Sequence, residues 1–141
     1  MVQTQGRRSC ASAREGPVPK MRVLIVEDDD DTRRLIEQEL GEAGYEVIAA
    51  LDGRHALRLA TTARPKVLLV DLGLPLMGGA EFVRVWGRSA GAKDATVVIV
   101  SGRTDALEVA QGLGVGKVIR KPFRIEDLVA TVAQCAPVGR G

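Results

Sequence analysis

The feature that most constrains this chain is a set of short, unbroken apolar runs. Val23–Val26, Val67–Val70 and Val97–Val100 each hold four apolar residues in a row, most of them β-branched. A strand with one face in water alternates apolar and polar residues, whereas a strand covered on both faces does not. These runs therefore read as central strands of a parallel sheet. Tyr45–Ala49 and Val115–Ile119 are interrupted, by Glu46 in one and by Gly116 and Lys117 in the other, and read as edge strands.

Between the runs the apolar period lengthens to that of a helix. Ile36, Leu40 and Ala43 share one face, as do Ala56, Leu59, Ala60 and Ala63. Phe82, Val85 and Trp86 follow the same spacing, then Ala106, Val109, Ala110 and Leu113, then Ile125, Leu128, Val129 and Val132. Gly44 is placed to stop the first helix and Asp52 to cap the second. Strand and helix thus alternate five times, with connections short enough for right-handed crossovers. The prediction is an α/β fold: a doubly wound five-stranded parallel sheet in the order 2-1-3-4-5, flavodoxin-like (βα)5, with helices on both faces. Ligands of such sheets bind beyond the carboxyl ends of the strands, where the strand order reverses between strands 1 and 3.

Composition excludes several other classes. With 141 residues, 45% of them hydrophobic, the chain can bury a core without disulfides or a structural metal. Cys10 and Cys135 are far apart, with no Cys/His cluster, so a zinc site is not expected. Residues 1–20 lack apolar periodicity and are predicted to be a disordered tail, or an upstream extension of a chain that starts at Met21. Arg7, Arg8, Arg14 and Lys20 stand there against Glu15, which more than accounts for the net charge of +2. The basic balance is therefore poor evidence for nucleic-acid binding. No run approaches the ~20 apolar residues of a membrane span, and the expectation is a cytoplasmic protein without a membrane partner. His55, the one histidine, is expected at the surface.

At the strand ends the residue types change. Strand 1 runs into Glu27, Asp28 and Asp29, strand 3 ends in Asp71, strand 4 in Ser101, and strand 5 is followed by Lys121. Strands 1 and 3 are neighbours in the predicted order, so Asp28 and Asp71 can face one another. Carboxylates crowded in this way repel and favour a bound cation. All-oxygen ligands with few carboxylates suit Mg²⁺. The acids of Asp29–Asp31 also fit a simple helix cap.

The segments VLIVEDDDDTRRL, VDLGLPLMGG, VVIVSGR and IRKPF, taken in order, resemble the receiver domains of two-component response regulators, of the single-domain chemotaxis-regulator kind. The resemblance spans residues 21–135, leaving 136–141 as a short C-terminal tail. It implies that Asp71 is the phosphoacceptor, that Asp28 ligates Mg²⁺, and that Glu27 acts beside it through metal-bound water. It implies further that the Gly73 carbonyl is a metal ligand, that Ser101 hydrogen-bonds the phosphoryl group, and that Lys121 pairs with it. The Lys121–Pro122 bond is expected to be cis. The implied donor is a sensor histidine kinase or a histidine phosphotransfer protein, and the implied receiver of the signal is a downstream protein target. The chain would catalyse its own phosphorylation and dephosphorylation and is not otherwise expected to be an enzyme. No output domain is expected after residue 135, so this is either a stand-alone receiver or part of a longer protein.

Three departures from the family pattern stand out. Gly78 replaces the usual acidic or amide residue after Met77, Val118 replaces the usual aromatic three residues before the lysine, and the Ser101–Lys121 stretch is short. The last two predict an altered output switch, centred on Ser101–Asp105. A receiver that binds partners without phosphorylation is disfavoured, because every functional residue type is present. An aspartyl-phosphate phosphatase is disfavoured because Asp71-Leu72-Gly73-Leu74 lacks a second acid. Flavin binding is disfavoured because the acids after strand 1 would repel a phosphate.

Overall fold

The computed structural model describes residues 20–74 and 77–137. The predicted tail, apart from Lys20, and the last four residues lie outside the described residues. Five strands, β1 (Arg22–Val26), β2 (Glu46–Ala50), β3 (Val67–Asp71), β4 (Thr96–Ser101) and β5 (Lys117–Arg120), form one parallel sheet in the order β2-β1-β3-β4-β5. Helices α1 (Asp30–Glu42), α2 (Gly53–Ala63), α3 (Gly79–Trp86), α4 (Ala106–Gly112) and α5 (Ile125–Cys135) connect or follow them, with a 3₁₀ turn over Ala90–Asp94.

The period-2 alternation of each central strand sends its side chains into two cores. Val23, Ile25, Val67, Leu69, Val98 and Val100 meet Ile36 and Leu40 of α1 and Leu128 and Val132 of α5. Leu24, Val26, Leu68, Val70 and Ile99 meet α2, α3 and α4. On that side α2 and α4 present Ala56, Ala60, Ala106 and Ala110, which lets both helices lie close to the sheet. Between them α3 supplies bulk through Phe82 and Trp86, whose rings stack with centroids 6.4 Å apart. Every central strand is thus covered twice, as its unbroken apolar sequence requires.

Local chemistry sets the element ends. Thr32 N donates to Asp29 Oδ2 at 2.9 Å, and His55 N to Asp52 Oδ1 at 2.9 Å, so these two aspartates cap α1 and α2. The α1 cap is Asp29; Asp30 and Asp31 lie inside the first turn. Gly44 adopts φ 106°, a left-handed conformation that only glycine reaches cheaply, and ends α1.

Three expectations are corrected. The third helix buries Phe82, Val83 and Trp86, while Val85 is 39% exposed; both triplets fit a helical face, and the packing against β3 selects the former. Strand β5 begins at Lys117 and not at Val115, because Val115 N closes the end of α4 by bonding to Ala110 O at 2.8 Å. Strand β2 likewise starts one residue late, at Glu46, because Tyr45 N donates to Leu40 O.

Tyr45 instead reaches across the molecule. Its hydroxyl donates to the Ala136 carbonyl at 2.7 Å, joining the start of β2 to the end of α5 in a buried contact. Tyr45→Phe keeps the ring and removes this bond. It should cost about 1 kcal/mol, read as a thermal midpoint lower by about 4 °C.

Candidate functional site

The carboxyl edge of the sheet gathers its polar residues around the β1–β3 junction. Val26 pairs in register with Val70, so Glu27 and Asp71 leave adjacent strands at the same level. One carboxylate oxygen from each of Glu27, Asp28 and Asp71 lies within 4.8 Å of the others. The three differ in setting: Glu27 is buried, Asp71 half-buried and Asp28 exposed. The Asp71 carboxylate is oriented from its own loop, since Gly73 N donates to Oδ1 at 3.0 Å.

Lys121 enters from the far side. Its ammonium stands 2.8 Å from Glu27 Oε1 and 3.4 Å from Asp71 Oδ2. The chain holds it there through the sheet: Lys121 N donates to Ser101 O at 3.0 Å, continuing the β4–β5 ladder past Arg120. Lys121–Pro122 is cis, as expected. Ser101 is buried at the end of β4, one residue beyond the Val100 that pairs with Asp71. Its hydroxyl oxygen accepts from Arg103 N at 3.1 Å, which leaves its proton free for another acceptor.

Burial pushes the Glu27 carboxyl above the usual carboxylate range; the hydrogen bond from Lys121 opposes this, and the charge of Asp71 adds to it. Burial acts the other way on Lys121, but the hydrogen bond to Glu27 and the charges of both acids outweigh it, so the ammonium is held above its usual value. Lys121 faces two acids, which outweighs its burial, whereas for Glu27 burial and the charge of Asp71 together outweigh its one cation. Three carboxylates against one ammonium leave the cluster short of positive charge. The donors are all oxygen, and an exposed acid stands at the mouth, which fits a hard cation that keeps part of its water.

The residues singled out by sequence thus converge: Glu27, Asp28, Asp71, Gly73, Ser101 and Lys121 all lie at this edge. His55 is half-buried in the first turn of α2. Two glycines were missed. A Cβ on Gly79 would overlap the Asp71 carbonyl oxygen, and one on Gly53 would come within 2.6 Å of Met77 O. These two close approaches seat the loop after β3 against its own strand and against α2. Gly78, by contrast, has open space where a Cβ would go, and its replacement of an acid leaves α3 without a side-chain cap.

A five-stranded parallel sheet in the order 2-1-3-4-5, with its polar residues gathered at the carboxyl edge, defines the flavodoxin-like class of doubly wound α/β domains. The model for the "Response regulator receiver domain" matches residues 23–133. The chain is 36% identical over 117 residues to the transcriptional regulatory protein PrrA of Mycobacterium tuberculosis, covering 82% of this chain and 49% of that protein. It is 33% identical over 115 residues to the DNA-binding response regulator MtrA of Mycobacterium leprae, covering 80% and 50% respectively. It superposes on the chemotaxis protein CheY4 of Vibrio cholerae with a TM-score of 0.78 at 31% identity, covering 83% of this chain and 99% of that one. The chain belongs to the response regulator receiver domain family, the receivers of two-component signal transduction. It spans about half the length of the curated relatives it matches.

The settings of the acids predict their unequal weight in cation binding. Asp28 is exposed and free to turn toward an ion, while Glu27 is held by Lys121. In calorimetric titration, Asp28→Ala should weaken Mg²⁺ binding about tenfold or more, and Glu27→Ala clearly less. Unchanged affinity in Asp28→Ala would remove that residue from the site.

Proposed function

We propose that Asp71 accepts a phosphoryl group from a phosphohistidine on a sensor histidine kinase or a histidine phosphotransfer protein, and that the modified domain signals to a downstream protein target. The observation that carries this reading is that the Asp71 carboxylate lies at the switch point within reach of the Lys121 ammonium and beside two further acids. An Asp71 oxygen attacks phosphorus in line; the P–N bond to the donor imidazole breaks, the imidazole leaves with the electron pair, and an acyl phosphate forms. Gly73 N orients the nucleophile through Oδ1. Lys121 is already within reach of Asp71 and balances charge on the transferred oxygens, to which the Ser101 hydroxyl donates its free proton. Asp28, Asp71 and the Gly73 carbonyl would hold Mg²⁺, with Glu27 acting through water, and the ion would supply positive charge against the repulsion between the carboxylate and the incoming group.

In this reading residues 21–135 are the working domain, flanked by residues 1–20 and 136–141. It works in the cytoplasm, touches protein partners and not nucleic acid, and turns over no substrate besides its own phosphoryl group. Among the described residues no helix is long and apolar enough to cross a membrane.

Incubation with acetyl phosphate and Mg²⁺, followed by intact mass measurement, tests the acceptor. One phosphoryl group should be added to the natural chain and none to Asp71→Asn; labelling that survives in the variant would overturn the assignment.

The readout should also depart from that of an aromatic switch. Val118 pairs with Ile99 in β5, is half-buried, and as a β-branched side chain is restricted at χ1. It has little swing to offer. On adding beryllofluoride, a phosphoryl mimic, amide shifts should cluster in residues 71–79 and 101–105 and the turn of α4 that directly follows, with small changes at Val118. A large response spread over residues 115–132 would contradict this.

A further inference from the structure

We propose that Arg103 is a second cationic anchor for the phosphoryl group on Asp71, held in reserve by Asp105 until that group arrives. Arg103 can act in this way only if Asp71 is the acceptor, so this assignment rests on the function proposed above.

Arg103 lies two residues beyond Ser101 at the carboxyl edge of β4. Its backbone amide is the donor to Ser101 Oγ, so the hydroxyl and the arginine backbone are mechanically joined. The side chain is engaged elsewhere. Nε and one terminal nitrogen donate to Oδ1 and Oδ2 of Asp105, both at 2.9 Å, in a two-pronged pair.

Asp105 is the informative partner. It occupies the N-cap position of α4, yet its side chain makes no cap hydrogen bond. Asp29 and Asp52, at the same position of α1 and α2, both do. Asp29 and Asp52 have the extended backbone of an N-cap, whereas Asp105 sits at φ −96°, ψ 13° with its carboxylate on the arginine, and α4, a helix of seven residues, has no side-chain cap.

The tie is weak enough to exchange. Both partners are about half exposed, 53% for the Arg103 side chain and 43% for Asp105, and pairs in that setting contribute little. A phosphoryl group beside Ser101 offers the same fork of donors more oxygens and more charge. Lys121 cannot meet that demand alone, because it is already divided between Glu27 and Asp71. When Arg103 turns to the phosphoryl oxygens, the Asp105 carboxylate is released onto the free amides of Leu107 and Glu108. Arg103 and Asp105 each trade one partner for another, while the phosphoryl group and the α4 amides each gain one; that gain is the difference between the two states that a ligand needs in order to shift them. The device replaces a moving aromatic ring with the exchange of an ion pair.

Beryllofluoride titration of the full chain in Mg²⁺, followed by amide chemical shifts, tests the exchange. Arg103→Gln should weaken binding about fivefold and Asp105→Asn should tighten it about threefold, since asparagine can cap α4 and no longer holds the arginine. The double variant should bind like Arg103→Gln alone, because there is then no arginine to release. In the natural chain the Leu107 and Glu108 amides should shift on binding, and in Arg103→Gln they should not. If both single variants bind like the natural chain while Asp71→Asn binds nothing, the anchor is refuted and the acceptor stands. If the natural chain itself binds no beryllofluoride, the acceptor assignment fails and the anchor falls with it.

Discussion

One ammonium group organises the edge of this sheet. Lys121 is fixed by its backbone to the end of β4, and from there its side chain spans to Glu27 at the end of β1 and Asp71 at the end of β3. Without a cation between them, a buried Glu27 and a half-buried Asp71 would repel across the junction where the strand order reverses. The pairing that stabilises the apposition also leaves it incomplete, since Asp28 brings a third negative charge to the same place. Three acids against one ammonium leave the junction short of positive charge; in the function proposed above, that shortage draws first a divalent cation and then an incoming anion.

Rigidity behind the edge makes that arrangement reproducible. The central strands are sealed between two cores, and the loop carrying Gly73 is pinned where Gly79 packs on the Asp71 backbone and Gly53 on Met77. The segment after β4 is built differently. Gly102–Asp105 is exposed or half-buried, leads into a short helix, and is held by a surface ion pair. The sheet edge at Asp71 is thus backed by two buried cores, whereas the segment after β4 is backed by one surface ion pair.

Much of this was legible in the sequence because the signals were periodic or positional. Unbroken apolar runs identify the central strands, and residues directly after such runs must emerge at the binding edge, which singles out Glu27, Asp28, Asp71 and Ser101; Lys121 follows the weaker fifth strand and stands out through the IRKPF segment. What escaped depends on atoms distant in the chain or on a choice between equal patterns. Val83 and Val85 fit the α3 face equally well until the sheet is in place. The start of β5 depends on how α4 closes at Val115, and the need for glycine at position 79 is set by the backbone of Asp71 eight residues earlier. The Arg103–Asp105 pair follows no period at all. It becomes visible only as a missing cap, by comparison with Asp29 and Asp52.

The central claim is that Lys121 and a bound divalent cation compensate the same cluster of carboxylates. Thermal melting of Lys121→Met, with Mg²⁺ and with a chelator, tests it most directly. Removing the ammonium strands Glu27, whose side chain is 3% exposed, beside Asp71. The variant should melt below the natural chain in chelator, and Mg²⁺ should raise its midpoint by more than it raises that of the natural chain. Equal Mg²⁺ shifts in the two proteins, or none in the variant, would contradict the account.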